Sequence, residues 1–322
     1  MTAIRSALVI GAAGQDGSYM TDLLIEHGYR VAGIVRREPA DEIPNLEHIR
    51  DRVDLVQADL MDMATIERAI AAYEPAELYN FASVSFGPDA WSDPARTVEL
   101  GSLAVAQLLE VVRRANPSPR YFQASSCWVF GQPRESPQTE QTRYAPVEPY
   151  GAAKALGDFL IRGYRARYDL FACSGIYYNH ESPRRPDRFV TRKITKAAAS
   201  IRSGSAAKLE LGDLEAHRDW GYAKDYVKAA WLMLQANDPA DYVIATGETH
   251  TVREFVQLAF TAAGLEWERH VHVNPSLKRP KGEVANLVGD PSAARDELGW
   301  MPTVSFDTLV GLMVNADLAE TP

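Results

Sequence analysis

Between residues 6 and 177, short runs of apolar and β-branched residues alternate with segments whose apolar positions recur every three or four residues. Runs at 6–10, 30–35, 53–57, 76–81, 119–125 and 170–177 read as strands. Helical spacing fills 19–27, 63–73, 96–115 and 149–168, with Gly28 placed to cap the first helix. Strands separated by helices return parallel to one another, so this rhythm predicts an α/β fold with a Rossmann-type doubly wound parallel sheet.

Beyond about residue 180 the pattern becomes less regular. A Pro/Arg-rich stretch, Pro183 to Pro186, precedes helices at 189–203 and 224–236. A cofactor domain needs a second element to hold a substrate against it. The expected division is therefore a dinucleotide-binding domain over 1–180 and a smaller C-terminal substrate lobe over 181–322, with some lobe segments returning to the first domain. Segment 38–51, rich in Pro, Asp and Glu, reads as a surface loop whose part in oligomer contacts stays open.

Composition narrows the function. With 322 residues, 46% of them apolar, the chain can bury a substantial core. Its net charge of -9 offers no basic field for a polyphosphate strand, so nucleic acid is not an expected partner. The two cysteines, Cys127 and Cys173, lack metal-ligand spacing and fit a reduced compartment. Glycines interrupt the apolar run at 7–10 before it reaches the length of a signal or membrane segment, so the expectation is a cytoplasmic protein without a membrane partner. His270 and His272 have no neighbouring carboxylate-His cluster, and no metal is expected.

Gly11, Gly14 and Gly17 follow the first strand and open the first helix, with Gln15 and Asp16 between them. Glycines there permit a tight turn and close approach of a pyrophosphate to free N–H groups at the helix N-terminus. The alternative is a purely structural turn. A site for the unphosphorylated dinucleotide would place an acid after the second strand, whereas this chain has Arg36 and Arg37. Two guanidinium groups suit a 2′-phosphate, so NADP(H) is the expected cofactor, against the plain alternative of solvated arginines. Asp59 and Leu60, after the third strand, are placed to reach the adenine, though Asp59 could equally cap the next helix.

Tyr150 and Lys154 stand at i and i+4 on one helix, where an ammonium favours the phenolate. Ser126, at the end of the fifth strand, supplies a hydroxyl to orient a substrate oxygen. Together Ser126, Tyr150 and Lys154 form the expected catalytic triad, with Tyr150 and Lys154 also beside the cofactor.

Several longer segments are similar to the GDP-mannose 4,6-dehydratase family. They are Gly14-Gln-Asp-Gly-Ser-Tyr19, Arg36-Arg37, Tyr121-Phe-Gln-Ala-Ser125, Asn179-His-Glu-Ser-Pro-Arg-Arg185, Phe189-Val-Thr-Arg-Lys-Ile194, Arg218-Asp-Trp-Gly221 and Lys224-Asp-Tyr-Val-Lys228. Val243-Ile-Ala-Thr-Gly247 and Leu287-Val-Gly-Asp-Pro291 extend the likeness over nearly the whole chain. The resemblance implies an extended short-chain dehydrogenase/reductase acting on a GDP-hexose, GDP-mannose or a 4-keto derivative, and a homo-oligomer, dimer or tetramer. It implies Asn179 and Arg218 on the pyrophosphate, Val190 and Lys193 near the guanine, and Ser85 among the substrate contacts. Arg279 and Glu283 resemble a ribose contact, but Arg279-Pro-Lys-Gly-Glu283 carries one residue more than the family's pattern.

One departure bears on the chemistry. After the fifth strand the family has Ser-Thr-Ser-Glu, where the Glu moves the proton at C5, and this chain has Ser125-Ser126-Cys127-Trp128. Serine keeps the hydroxyl of threonine. An indole offers one N–H and no group titrating near neutrality. The preferred expectation is therefore C4 redox, by a 4-keto sugar reductase or 4-epimerase. A 4,6-dehydratase with Glu148 or Asp89 as a relocated base comes next, then a 3,5-epimerase using Cys127, then an inactive nucleotide-sugar binder. Glu148 and Asp89 also read as surface residues. Cys127 reads as a buried structural residue facing away from Ser126 along an extended strand.

Overall fold

The computed structural model describes residues 5–39, 41–84, 87–277 and 287–321. A seven-stranded sheet contains β1 (Ser6–Ile10), β2 (Arg30–Val35), β3 (Asp54–Gln57), β4 (Glu77–Asn80), β5 (Arg120–Ala124), β6 (Ala172–Tyr177) and β7 (Tyr242–Ile244). Its spatial order is β7-β6-β5-β4-β1-β2-β3, with every pairing parallel. Continuous burial along β1, β4 and β6 reflects helices covering both faces, as parallel sheets require.

Helices α1 (Gln15–Glu26), α2 (Met63–Tyr73), α3 (Ala104–Arg114), α4 (Pro149–Tyr168), α5 (Val190–Arg202), α6 (Ala223–Gln235), α7 (Val252–Ala262) and α8 (Phe306–Glu320) follow in chain order. On one face, Ile66, Leu108, Val112 and Ile161 from α2, α3 and α4 join Leu8 and Leu78 of the sheet. On the other, Met20 and Leu24 of α1 and Ala230 and Met233 of α6 join Val9, Val31 and Phe122. Ile194, Phe255, Phe260, Leu309 and Met313, from α5, α7 and α8, form a separate apolar cluster in the lobe. Among the described residues, no helix is long and apolar enough to cross a membrane.

The structure corrects three local expectations. Helix α1 begins at Gln15 rather than 19, directly on the glycine turn. The helix expected over 96–115 begins at Pro94, where Asp93 accepts from the Arg96 N–H, and passes through a π-helical turn at Glu99–Leu103 before α3. Strand β7, from beyond residue 180, adds an edge to the sheet. The expected surface loop holds a 3-10 segment, Pro44–Arg52, with Ile43, Leu46 and Ile49 buried. Their three-residue spacing matches the three residues per turn of that helix, so polar neighbours did not prevent an inward face.

Candidate active site

Strands β1 and β4 are neighbours, so the chain leaves β1 for β2 on one side while β4 continues on the other. A doubly wound sheet opens a crevice where strand order reverses. Here a cleft of about 1270 Å³ runs from Gly11 past the ends of β4 and β5 to Arg218 and Val252 in the lobe. Typical single-ligand pockets hold roughly 300–1,000 Å³, so this volume suits two ligands end to end.

Glycine geometry builds one end. Gly11 has φ +84°, and a Cβ there would meet the Ala82 backbone N–H nitrogen at 3.0 Å. A Cβ on Gly17 would lie 2.2 Å from the Gly11 carbonyl oxygen, so the turn closes only with glycine. Gly14 occupies the N-cap of α1 without a side-chain cap bond, leaving helix N–H groups free of side-chain cover. These features fit a bound pyrophosphate.

The side chains between the glycines do something the sequence did not reveal. Gln15 is buried, donates to the His180 carbonyl at 3.1 Å and accepts from the Ser182 hydroxyl at 2.7 Å. Asp16 meets His180 Nε2 at 3.0 Å. Burial alone would raise the Asp16 pKa, but His180, Gln15 and the charge of Arg185 hold it below its ordinary value. Gln15 and Asp16 thus line the cleft while fastening the glycine turn to the 179–185 segment.

Arg36 lines the cleft just past β2, whereas exposed Arg37 lies outside its lining. Both arginines sit in the bend that follows β2, which turns Arg36 but not Arg37 onto the cleft wall. Asp59 and Leu60 both line the cleft. Asp59 caps its own turn by accepting from the Met61 N–H at 2.9 Å, and Asp62 occupies the N-cap of α2 instead.

Ser126, Tyr150 and Lys154 converge in the middle of the cleft. Lys154 donates to the Ala124 carbonyl at 2.6 Å, and its nitrogen lies 5.7 Å from the Tyr150 ring centre. Burial pulls Lys154 down to about 8, with Asp158 and Asp16 opposing it. The phenol of Tyr150 is raised above its ordinary value, first by burial, while its hydrogen bond with Ser126 works the other way. The expected lowering toward neutrality is therefore not realised in this cleft, where lost hydration outweighs stabilisation of the phenolate.

Toward the lobe, Asn179, Val190, Lys193 and Arg218 all line the same cleft. Lys193 donates to the Glu210 carbonyl at 2.7 Å, and Arg218 donates to the His217 carbonyl at 2.6 Å. Ser85, Arg279 and Glu283 lie outside the described residues.

The residues weighed for altered chemistry separate. Trp128 is half-buried on the cleft wall, with the Arg218 guanidinium carbon 5.8 Å from its ring centre. Cys127 does not sit on an extended strand. It opens a 3-10 turn, Cys127–Val129, capped by Ser126, and remains 2% exposed while contributing to the cleft. Burial pushes its thiol up to about 12. Asp89 is paired with Arg188 at 2.5 Å. Glu148 occupies the N-cap of α4, lines the cleft, and its charge raises the Tyr150 pKa.

Three further residues escaped the sequence reading. Arg185 lines the cleft, pairs with Glu181 at 3.1 Å, and its charge favours the ionised forms of Asp16 and Tyr150. Asp219 is buried and accepts from the Thr246 and Gly247 N–H groups at 2.9 and 3.1 Å, joining the segment that carries Arg218 to the end of β7. Asp158 is buried behind the triad. Asp219 was legible only as a motif letter, and Asp158 only as one more polar position on a helix.

Residues 8–313 match the family model described as GDP-mannose 4,6 dehydratase. GDP-mannose 4,6 dehydratase 1 of Arabidopsis thaliana is 43% identical over 326 residues, covering 98% of this chain and 90% of that protein. GDP-mannose 4,6 dehydratase of Homo sapiens is 41% identical, with 97% and 91% covered. Among solved structures, UDP-glucose 4-epimerase of Thermotoga maritima has a TM-score of 0.87 at 24% identity, covering 98% of this chain and 100% of that one. UDP-glucose 4-epimerase of Thermus thermophilus, in complex with NAD, has a TM-score of 0.85 at 26% identity, covering 97% and 98%.

Proposed function

The chain belongs to the GDP-mannose 4,6-dehydratase family, and from that premise we propose that it performs NADP(H)-dependent redox at C4 of a GDP-hexose, as a 4-keto sugar reductase or 4-epimerase. One observation carries this reading. The cleft gathers Ser126, Tyr150 and Lys154, and Trp128 lines it where the family resemblance implies a proton-moving glutamate. General acid-base catalysis contributes about 10²- to 10⁴-fold, so an indole there leaves dehydration without its usual base.

The proposed roles combine the cleft's geometry with the family resemblance. Ser126 orients the C4 oxygen, Tyr150 gives or takes its proton, and Lys154 supports the charge that develops on the phenol oxygen. The dinucleotide, when bound, supplies or accepts the hydride. Gly11, Gly14 and Gly17 hold its pyrophosphate, and Arg36 favours the 2′-phosphate as a bidentate donor. Asn179 and Arg218 take the GDP pyrophosphate, and Val190 and Lys193 stand near the base. Trp128 closes the sugar end.

A second reading, dehydration with Glu148 as a relocated base, is favoured by that carboxylate's place on the cleft wall and its influence on Tyr150. The 3,5-epimerase reading loses support, because burial keeps the Cys127 thiol protonated at neutral pH. A homo-oligomer is also proposed. Leu103, Leu156 and Phe159 are exposed on two segments tied together by the Ser102 hydroxyl donating to the Ala153 carbonyl at 2.9 Å. An apolar face of this kind suits a second copy.

The test supplies GDP-4-keto-6-deoxymannose with NADPH, and separately GDP-hexoses with NADP+. A reductase consumes the reduced-nicotinamide absorbance, and a 4-epimerase inverts C4 without net cofactor consumption. Failure of both reactions, with rapid release of 4-keto-6-deoxy sugar from GDP-mannose, would replace this reading by the second.

A further inference from the structure

Behind the triad lies a carboxylate that the chemistry above does not use. Asp158 is 1% exposed and sits on α4 one turn beyond Lys154. Its Oδ2 accepts from the Ser125 hydroxyl at 2.6 Å and the Tyr144 phenol at 3.0 Å, while Oδ1 accepts from the Ser174 hydroxyl. Ser125 follows the end of β5, Ser174 lies on β6, and Tyr144 precedes α4. One carboxylate therefore joins α4 to two adjacent strands.

The placement of Ser125 connects this cluster to the triad. Lys154 donates to the carbonyl of Ala124, and Asp158 accepts from the hydroxyl of Ser125. The residue after these two is Ser126. Two α4 side chains one helical turn apart thus grip consecutive residues of the strand end that presents the catalytic hydroxyl.

We propose that Asp158 is a positioning residue of the active site, pinning the strand end that carries Ser126 and supplying the negative charge that keeps buried Lys154 protonated. The proposal rests on reading Ser126, Tyr150 and Lys154 as the triad. A buried ammonium favours losing its proton unless an opposite charge lies close. Burial is the largest influence on Lys154, and Asp158 and Asp16 are the charges that oppose it. Asp16 reaches from α1, where His180 already engages it. Burial likewise raises Asp158 to about 6, with Asp241 raising it further and Ser125, Ser174 and Tyr144 lowering it through hydrogen bonds. Asp241 is itself paired with Arg162 at 2.8 Å and Arg165 at 3.0 Å. Tyr150 is the remaining titratable group facing Lys154 from α4. Between about 6 and about 8, Asp158 is charged and Lys154 is still protonated.

The test is a substrate-free pH titration of the full chain carrying 13Cε-labelled lysine, with the Lys154 resonance identified by its loss in Lys154→Arg. In Asp158→Asn the Lys154 midpoint is expected to fall by roughly one pH unit or more. Asp158→Ser also removes the charge while keeping a hydrogen-bonding side chain, so the Lys154 midpoint is expected to fall by a similar amount. That variant keeps the test available if Asp158→Asn does not fold. An unmoved midpoint in either folded variant would overturn the proposal, because a merely structural residue would lower urea resistance and leave the titration alone. Since no substrate is present, inactivity of the wild-type enzyme on GDP-sugars would defeat the proposed reaction without touching this result.

Discussion

The guanidinium carbon of Arg218 lies 5.8 Å from the ring centre of Trp128 on the wall of the cleft. A cation near an aromatic face is held there by the ring quadrupole, so the two side chains form one wall. On the proposed reading this wall stands where the family resemblance implies a glutamate, and it leaves dehydration without its usual base.

Replacing the indole by the acid is accordingly the most informative substitution. Trp128→Glu is expected to raise formation of 4-keto-6-deoxy sugar from GDP-mannose by about 10²-fold over the wild type, the lower end of what a positioned acid-base group contributes. Product yield by chromatography checks it. No gain, in a variant that still binds GDP-mannose, would mean that Trp128 is not the block to dehydration.

Tyr150→Phe removes the proton carrier and keeps the ring. Turnover is expected to fall by about 10²- to 10⁴-fold, with NADPH affinity unchanged within a factor of about three. Steady-state kinetics and fluorescence titration measure the two quantities. Retained turnover would place the proton carrier elsewhere, and Glu148 would be the next residue to test.

Lys154 titrates near 8 because burial lowers it from the ordinary lysine value. Its useful form is the protonated one, so that contribution is complete well below this pH and fades as pH rises through about 8. The kcat profile should carry an alkaline limb there. Lys154→Arg, whose guanidinium stays charged, should move that limb upward by more than about one pH unit while lowering kcat. A limb that stays fixed would assign it to another group.

On the proposed reading Arg36 carries the cofactor preference. Arg36→Ala should weaken NADPH by about tenfold or more relative to NADH, the consequence of losing roughly 1.4 kcal/mol of phosphate-directed binding. Arg37→Ala, changing a residue outside the cleft lining, should have a smaller effect. The ratio of the two dissociation constants tests both. Equal effects would show that both arginines reach the phosphate.

Gly17→Ala tests the turn. Its Cβ would meet the Gly11 carbonyl oxygen at 2.2 Å, a clash with backbone rather than with a flexible side chain. A loss of about 1–3 kcal/mol in urea unfolding is expected, together with weakened dinucleotide binding. Unchanged stability would mean that the turn relaxes at little cost.

The sequence made the first six strands of the sheet legible because each contains a short apolar or β-branched run, and helical spacing follows β1, β3, β4 and β5. Strand β7 escaped because three residues carry almost no periodicity, and its apolar side chains gain meaning only when β6 lies beside them. The 44–52 segment was misread because its Pro, Asp and Glu content masked Ile43, Leu46 and Ile49 at three-residue intervals. Glycines and the Tyr-Lys pair announced themselves by local spacing. Asp158, Arg185 and Asp219 did not, since their roles come from partners distant in the chain: Ser125 and Ser174 for Asp158, Asp16 for Arg185, Thr246 for Asp219.

On the proposed reading the cleft performs redox at C4 and does not dehydrate. Product NMR on parallel incubations, GDP-mannose with NADP+ and GDP-4-keto-6-deoxymannose with NADPH, tests it most directly. Little 4-keto-6-deoxy product is expected in the first and conversion at C4 in the second, as a new alcohol or an inverted centre. Rapid dehydration of GDP-mannose with no C4 conversion of the keto sugar would contradict it.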